Sequence, residues 1–407
     1  MSANLTAAEE RSRDAIRQAI LLIITATLIL TVLGVVMVFS ATSVSSISLA
    51  FLRDDPALRF SDAQRQLMFA VLGIIALPII AIIPASFYQR MIWPIFVLGI
   101  ALQMLILSPL GIDVNGNRNW VSIAGFVLQP SEFLKLAAAL WLAVMIGRLT
   151  RDDLSVPKKV LVPSGAGAMA AILAVMAGQD MGTAIIYVMM FAIAYWIAGI
   201  PGRWFAGAGL FIGVASVLLV ALQRSRLNRI IDYFQNVFVL PDIHEPTQAD
   251  YAMWAFGTGG VGGVGLGASR EKWNYLPEAH NDFIFAVIGE ELGFFGALAV
   301  IVLYIMLGFG LVRIVIHHNA MWVRYFAAMI AMWLVGQAIL NMMVVSGVLP
   351  VFGVPLPFIS QGGSAMVACL AAVGVTVSGA LSHPGVASSF RFPRMSFRSS
   401  ATLRSTR

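Results

Sequence analysis

Apolar stretches of roughly 20 residues, separated by polar loops, most constrain what this chain can fold into, because a helix of about that length spans a bilayer core. They fall at 17–43, 66–85, 91–110, 131–146, 160–178, 183–199, 205–222, 282–311, 325–345 and 356–382. Lipid gives backbone amides no partner, so each stretch must close its own hydrogen bonds as a helix. With 59% hydrophobic and 11% charged residues and a mean hydropathy of +0.87, the expectation is an all-α integral membrane protein. About ten transmembrane helices form one bundle, with a large extracytoplasmic loop at 223–281 between the seventh and eighth. Residues 1–16 read as a cytoplasmic tail, 17–382 as the helical domain, and 383–407 as a basic cytoplasmic tail expected to be disordered.

The first apolar run, 19–39, exceeds the roughly 7–15 residues of a signal-peptide core and reads as a retained anchor. Ten spans put both termini on one side. Loops there carry the excess of Lys and Arg, including Arg11, Arg13, Arg17, Arg148, Arg151, Lys158 and Lys159, which makes that side cytoplasmic. The net charge of +6 resides in these loops and in an arginine-bearing tail, so topology and anionic lipid account for it and no nucleic-acid partner is expected. Cys369 is the single cysteine, which excludes an intramolecular disulfide and a thiolate metal cluster.

Within the long loop, 224–234 has the apolar spacing of an interfacial anchor, with Leu227, Ile230, Ile231 and Phe234 facing lipid. The run GTGGVGGVGLG (257–267) contains GxGxxG twice, but it lacks the flanking strand and βαβ unit of a dinucleotide site. Its glycines are expected to let the loop fold back closely onto the bundle. No GxxxxGK[ST] sequence is present to hold ATP.

Ionisable groups inside a membrane are costly and therefore informative. Glu132 and Lys135, three apart in QPSEFLKL, share a helix face; they are either a self-neutralised pair or a charged cavity wall. Asp180, in the turn QDMG, reads as a cap for the helix at Thr183. Asp282 opens the eighth span, where caps also belong, yet Glu290 lies only roughly 80° around the helix from it, so the two can border one polar cavity. Glu291, about 180° away, needs a partner of its own. His280 and Asn281 add hydrogen-bonding groups at the same mouth. Gln337 and Asn341 share a face of the ninth span and read first as interhelical hydrogen-bonding groups. The segment 347–364, with three prolines and four glycines, is expected to be a re-entrant loop packed on protein.

Six motifs in order, GNRNWVSI (116–123), QPSEFLKL (129–136), QDMGTA (179–184), YLPEAHNDFIFAVIGEELG (275–293), GQAILN (336–341) and GVPLPFISQGGS (353–364), resemble the SEDS family of peptidoglycan polymerases. LPEAH and NRNW are more similar to its cell-division branch than to its elongation branch. The resemblance implies a glycosyltransferase that joins lipid II units on the outer face of the cytoplasmic membrane, at the division septum, with Asp282 as the catalytic acid. It further implies a class B penicillin-binding protein and other divisome membrane proteins as partners. Polymerisation inverts the anomeric carbon, so one carboxylate suffices as general base for the acceptor 4-hydroxyl.

Lys135, Arg118, Arg270 and Lys272 are candidates to face the pyrophosphate, alone or with a divalent cation. The resemblance implies that Trp120, Gln248 and Ser360 line the cavity or bind substrate, the Trp120 indole either stacking on a sugar face or anchoring at the interface. The chain departs from the family pattern at Gln361, usually Tyr, at Phe352 and Val345, often Lys and Asn, and at Tyr251, usually Gln. A lipid-linked precursor flippase, expected to show paired broken helices in two repeated halves, is the alternative activity, and the same polymerase serving elongation is the alternative role. A scaffold for other division proteins is a third reading.

Overall fold

A computed structural model describes residues 7–114, 117–123, 125–221, 246–273 and 276–390. Each of the ten apolar stretches falls on a helix. In chain order these are α1 (Ala7–Leu52), α2 (Ser61–Ile82), the short α3 (Ala85–Arg90), α4 (Ile92–Met104), α5 (Pro130–Gly147), the short α6 (Arg151–Leu154), α7 (Pro157–Met176), α8 (Met181–Ile197) and α9 (Gly202–Ala221). Then follow α10 (Gln248–Gly259) in the long loop, α11 (Ile284–His317), α12 (Met321–Ala331), α13 (Gln337–Val345) and α14 (Gly363–Leu381). Among the described residues seven helical runs are long and apolar enough to cross a membrane, while Ile92–Leu107 and Met181–Ile197 are shorter apolar helices.

The sequence-based boundaries shift in two places. The last helix begins at Gly363 rather than 356, because the prolines of 350–357 cannot join its hydrogen-bond ladder. The loop at 111–128, in a chain expected to be all-α, folds as an antiparallel sheet of β1 (Gly111–Val114), β2 (Asn117–Ile123) and β3 (Phe126–Leu128) in the order β1-β2-β3. The 224–234 segment lies outside the described residues.

α5 is the central post. It is buried on nearly every side, and its alanines 137–139 let neighbours approach. It packs against α4 and α12, while α1 runs along α11 and α2 along α14. Trp141 of α5 stacks on Phe96 of α4 with ring centroids 4.7 Å apart.

α11 is interrupted at Gly293, whose φ of 68° and ψ of −165° are open to glycine and costly for other residues. The glycine-rich loop supplies the hydrogen bonds that the lost turn leaves open. The carbonyls of Glu290 and Glu291 accept from the amides of Val264 and Gly265, each at 3.0 Å, and the Phe294 amide donates to the Gly260 carbonyl at 2.9 Å. Irregular backbone at this depth is thus satisfied by protein. A second break precedes α14, where 350–362 runs as turns and extended chain. The sequence pointed to 347–364 as the broken segment; among the described residues there are two breaks, both in the last third of the chain.

Candidate active site

Three segments meet at one end of the bundle: the turn carrying Glu278 to Asp282, the irregular run before α14, and the polar start of α2. Between them and the β2–β3 hairpin lies a cavity of about 820 Å³ counting its open mouth. Trp120, His280 and Asn281 line it, as do Arg65, Gln66 and Phe69 of α2 and Gln361 to Gly363 at the start of α14. Asp282 is next in the chain after Asn281, the last lining residue of this turn, and is not itself part of the lining.

Asp282 is half-buried and does not cap the helix. The cap position of α11 belongs to Phe283, which makes no side-chain cap bond. No cation forms an ion pair with Asp282 among the described residues. Burial, and then the charges of Glu278 and Asp180, push its carboxyl up from the usual carboxylate range to about 7. Gly353, at a φ of 70°, passes close to it: a Cβ built there would lie 3.6 Å from Asp282 Oδ2.

The backbone of this turn hangs from the opposite segment and from α13. The Ser360 hydroxyl donates to the Asn281 carbonyl at 2.7 Å, and the Gln361 amide to the His280 carbonyl at 3.0 Å. Asn341 donates to the carbonyls of Asp282 at 2.7 Å and Val354 at 2.8 Å. One turn earlier, Gln337 Nε2 donates to the Pro355 carbonyl at 2.7 Å. Gln337 and Asn341 therefore make the interhelical bonds expected of them, and they make them to the backbone that carries or walls Asp282. A π-helical turn, Met332–Gly336, sets the register of α13 just before Gln337.

Glu132 and Lys135 do not face the cavity. They pair at 2.7 Å, each 1% exposed, and Lys135 also donates to Gln337 Oε1 at 3.2 Å and lies over the Trp333 ring. Asp180 caps α8 through the Thr183 amide at 2.9 Å and accepts from Gln129 at 3.2 Å, while its charge reaches Asp282. Glu290 is fully buried away from the cavity, accepting from the Ser269 hydroxyl at 2.5 Å and the Arg270 amide at 2.9 Å. Glu291 finds its partner in Lys272 at 3.0 Å, with Ser40 bridging both.

Three of the four cations expected to face pyrophosphate are therefore placed elsewhere by their own contacts. Lys135 and Lys272 are buried in ion pairs, and Arg118 donates to the Ser108 carbonyl at 2.8 Å. Arg270 is exposed outside the cavity lining, and Gln248 begins α10, which packs on α11. The guanidinium on the cavity belongs to Arg65, which lies in the polar stretch just before the second apolar run. Asp62, Arg65, Gln66 and Phe69 follow the i, i+3, i+4, i+7 spacing of one helix face, a pattern that marks them as a unit. Gln66 also fixes the start of α14, donating to the Ser360 carbonyl and accepting from the Gly362 amide at 3.2 Å.

Among the described residues no three His, Cys, Asp or Glu side chains gather as a metal site. A divalent ion here would take one or two carboxylates and complete its shell with phosphate and water, the usual pattern for Mg²⁺.

Residues 20–382 match the family described as cell cycle protein, FtsW/RodA/SpoVE. The probable peptidoglycan glycosyltransferase FtsW of Mycobacterium tuberculosis is 32% identical over 378 residues, covering 92% of this chain and 70% of that protein. Stage V sporulation protein E of Bacillus subtilis is 34% identical, covering 88% and 96%. Among solved structures, a chain from a peptidoglycan synthase complex superposes with a TM-score of 0.70 at 21% identity, covering 89% of this chain and 98% of that one. The rod shape determining protein RodA of Thermus thermophilus gives 0.63 at 23%, covering 89% and 96%.

Proposed function

The chain belongs to the FtsW/RodA/SpoVE family of cell cycle proteins, and on that footing we propose that it is a peptidoglycan glycosyltransferase polymerising lipid II for septal wall synthesis. The observation that carries the reading is the half-buried Asp282 carboxyl, which has no cationic partner among the described residues, is pushed up to about 7 by burial, and follows Asn281 of a cavity that offers Arg65. A general base works best with a pKa near the operating pH. Asp282 takes the proton of the acceptor sugar's 4-hydroxyl as that oxygen bonds to the donor's anomeric carbon. The bond from that carbon to the lipid pyrophosphate breaks on the opposite face, so configuration inverts.

Arg65 and the amides at the start of α14 favour the negative charge that develops on the leaving diphosphate. Trp120 and Phe126 offer apolar faces to a sugar ring. A divalent ion, where used, is shared between acids of this mouth and the diphosphate. The flippase reading asks for broken helices in corresponding places of two repeated halves. Both breaks here lie in the last third of the chain.

The protein is a multi-pass membrane protein, with its termini cytoplasmic and the Asp282 end external in this reading. A structural neighbour comes from a peptidoglycan synthase complex, and a class B penicillin-binding transpeptidase is the proposed partner; its absence from detergent pull-downs counts against that. Gel analysis of strands made from labelled lipid II tests the activity. Polymer from wild type and none from folded Asp282→Asn supports the reading, and equal polymer from both removes Asp282 from the mechanism.

A further inference from the structure

Asn341 is 1% exposed and spends one nitrogen on two carbonyls, those of Asp282 and Val354, while its Oδ1 is buried without a partner. Both atoms it faces are acceptors, which fixes the amide orientation, since reversing it would set three oxygens together. An orphaned buried acceptor is costly. The two donor bonds must therefore hold something that matters to the fold or to the chemistry, and their partners show which.

Val354 follows Gly353, where a built Cβ would lie 3.6 Å from Asp282 Oδ2, so the absence of a side chain leaves room beside that oxygen. A single nitrogen thus ties the backbone that bears the carboxylate to the backbone that walls it. Ser360 and Gln361 hold the preceding carbonyls, those of Asn281 and His280. Among the described residues, the Asn341 bond is the side-chain bond that acts on the Asp282 backbone itself.

We propose that Asn341 is a positioning residue for Asp282, setting the distance between the base and the Gly353 wall and so the reach of the carboxylate toward the acceptor hydroxyl. This rests on the reading of Asp282 as the base. Displacing a reacting group by about 1 Å costs roughly a hundredfold in rate. The acids whose charges bear on Asp282 are Glu278 and Asp180, and neither is bonded to Asn341, so its removal leaves their charges in place.

The test compares the full-length wild type, Asn341→Asp, Asn341→Ala and Asp282→Asn, each purified in detergent and scored for its folded fraction by size exclusion. Asn341→Asp keeps the shape but puts an oxygen where the donor stood, and Asn341→Ala removes both donors without adding charge. Polymerisation of labelled lipid II is followed across substrate concentration and pH. Both Asn341 variants should lose about a hundredfold in kcat per folded molecule, with KM held within about twofold. In Asn341→Ala the pH–rate midpoint should fall below that of wild type, because a carboxylate released from its wall gains water, whereas the added acid of Asn341→Asp opposes that fall.

Wild-type kcat and midpoint per folded molecule in either variant would overturn the proposal, as would failure of both to fold, which would make Asn341 a structural support. Full activity in Asp282→Asn would instead remove the reading of the base, and the proposal with it.

Discussion

Glu132 and Lys135 meet at 2.7 Å within one turn of α5, whereas Glu291 and Lys272 meet at 3.0 Å across a sequence separation of 19, between a helix and a loop. Both pairs are buried and both carry extra bonds, yet they secure different things. Lys135 passes its constraint through Gln337 to the Pro355 carbonyl, in the segment that walls Asp282. Lys272 gathers Glu291, Ser40 of α1 and the Gly267 carbonyl, and so pins the glycine-rich loop into the break of α11. A buried ion pair is weak evidence for stability in itself. What it fixes is read from the remaining bonds of each ammonium.

The contrast between a pair that supports the site and a pair that supports the loop can be broken in stages. Asp282→Asn should leave both pairs and the melting temperature intact while polymer formation drops by about 10²–10⁴-fold, the usual contribution of a general base. A fall in stability equal to that of the lysine variants would blur the distinction between site and support. Lys135→Met and Lys272→Met each strand a buried carboxylate and should each lower stability by about 3–5 kcal/mol in a detergent unfolding titration.

Their pH profiles should differ. Polymerisation by wild type should fall as pH drops through about 7, because a raised pKa keeps Asp282 protonated below that point. The double variant Glu132→Gln/Lys135→Met should move that midpoint and Lys272→Met should not. An unmoved midpoint in both would remove the link through Gln337.

Gly293→Ala should cost at least about 1–3 kcal/mol, since strain at its positive φ adds to the clash of a Cβ with the Gly263 amide nitrogen, and should expose the 257–267 loop to limited proteolysis. Unchanged cleavage would show that the Lys272 and Ser269 contacts hold the loop without the fit at Gly293. The smallest effect is expected at Arg65. Replacing it with Gln should raise KM for lipid II by about tenfold, the loss of one charge-assisted contact, with stability unchanged, since its side chain is exposed on the cavity.

Much of the architecture was legible in the chain because lipid enforces it. Every apolar run of sufficient length became a helix, since the backbone has no other way to satisfy itself there. The glycine-rich run was read correctly as a close-approach element, but its destination was not, because the gap it fills is made by Gly293, a lone glycine inside a span that reads as one continuous helix. The strands of 111–128 were missed for a similar reason: they are short, and their pairing depends on neighbours such as the Gly178 carbonyl, which takes the Arg118 amide at 3.1 Å.

At the site, the sequence by itself determined which polar groups lie close together: an acid at 282 just before a membrane helix, a Glu–Lys pair one turn apart on α5, and amides at 337 and 341 on one face. These are local spacings, and helix geometry turns them into shared faces without help from the rest of the fold. Only the tertiary structure decided which charges remain available. Four lysines and arginines were equal candidates in the sequence, but burial commits Lys135 and Lys272 to carboxylates, since an unpaired charge in that interior is too costly to persist. The cavity is left with Arg65, on a helix more than two hundred residues from Asp282 in sequence, because charge pairing depends on distance in space, which the order of residues does not record.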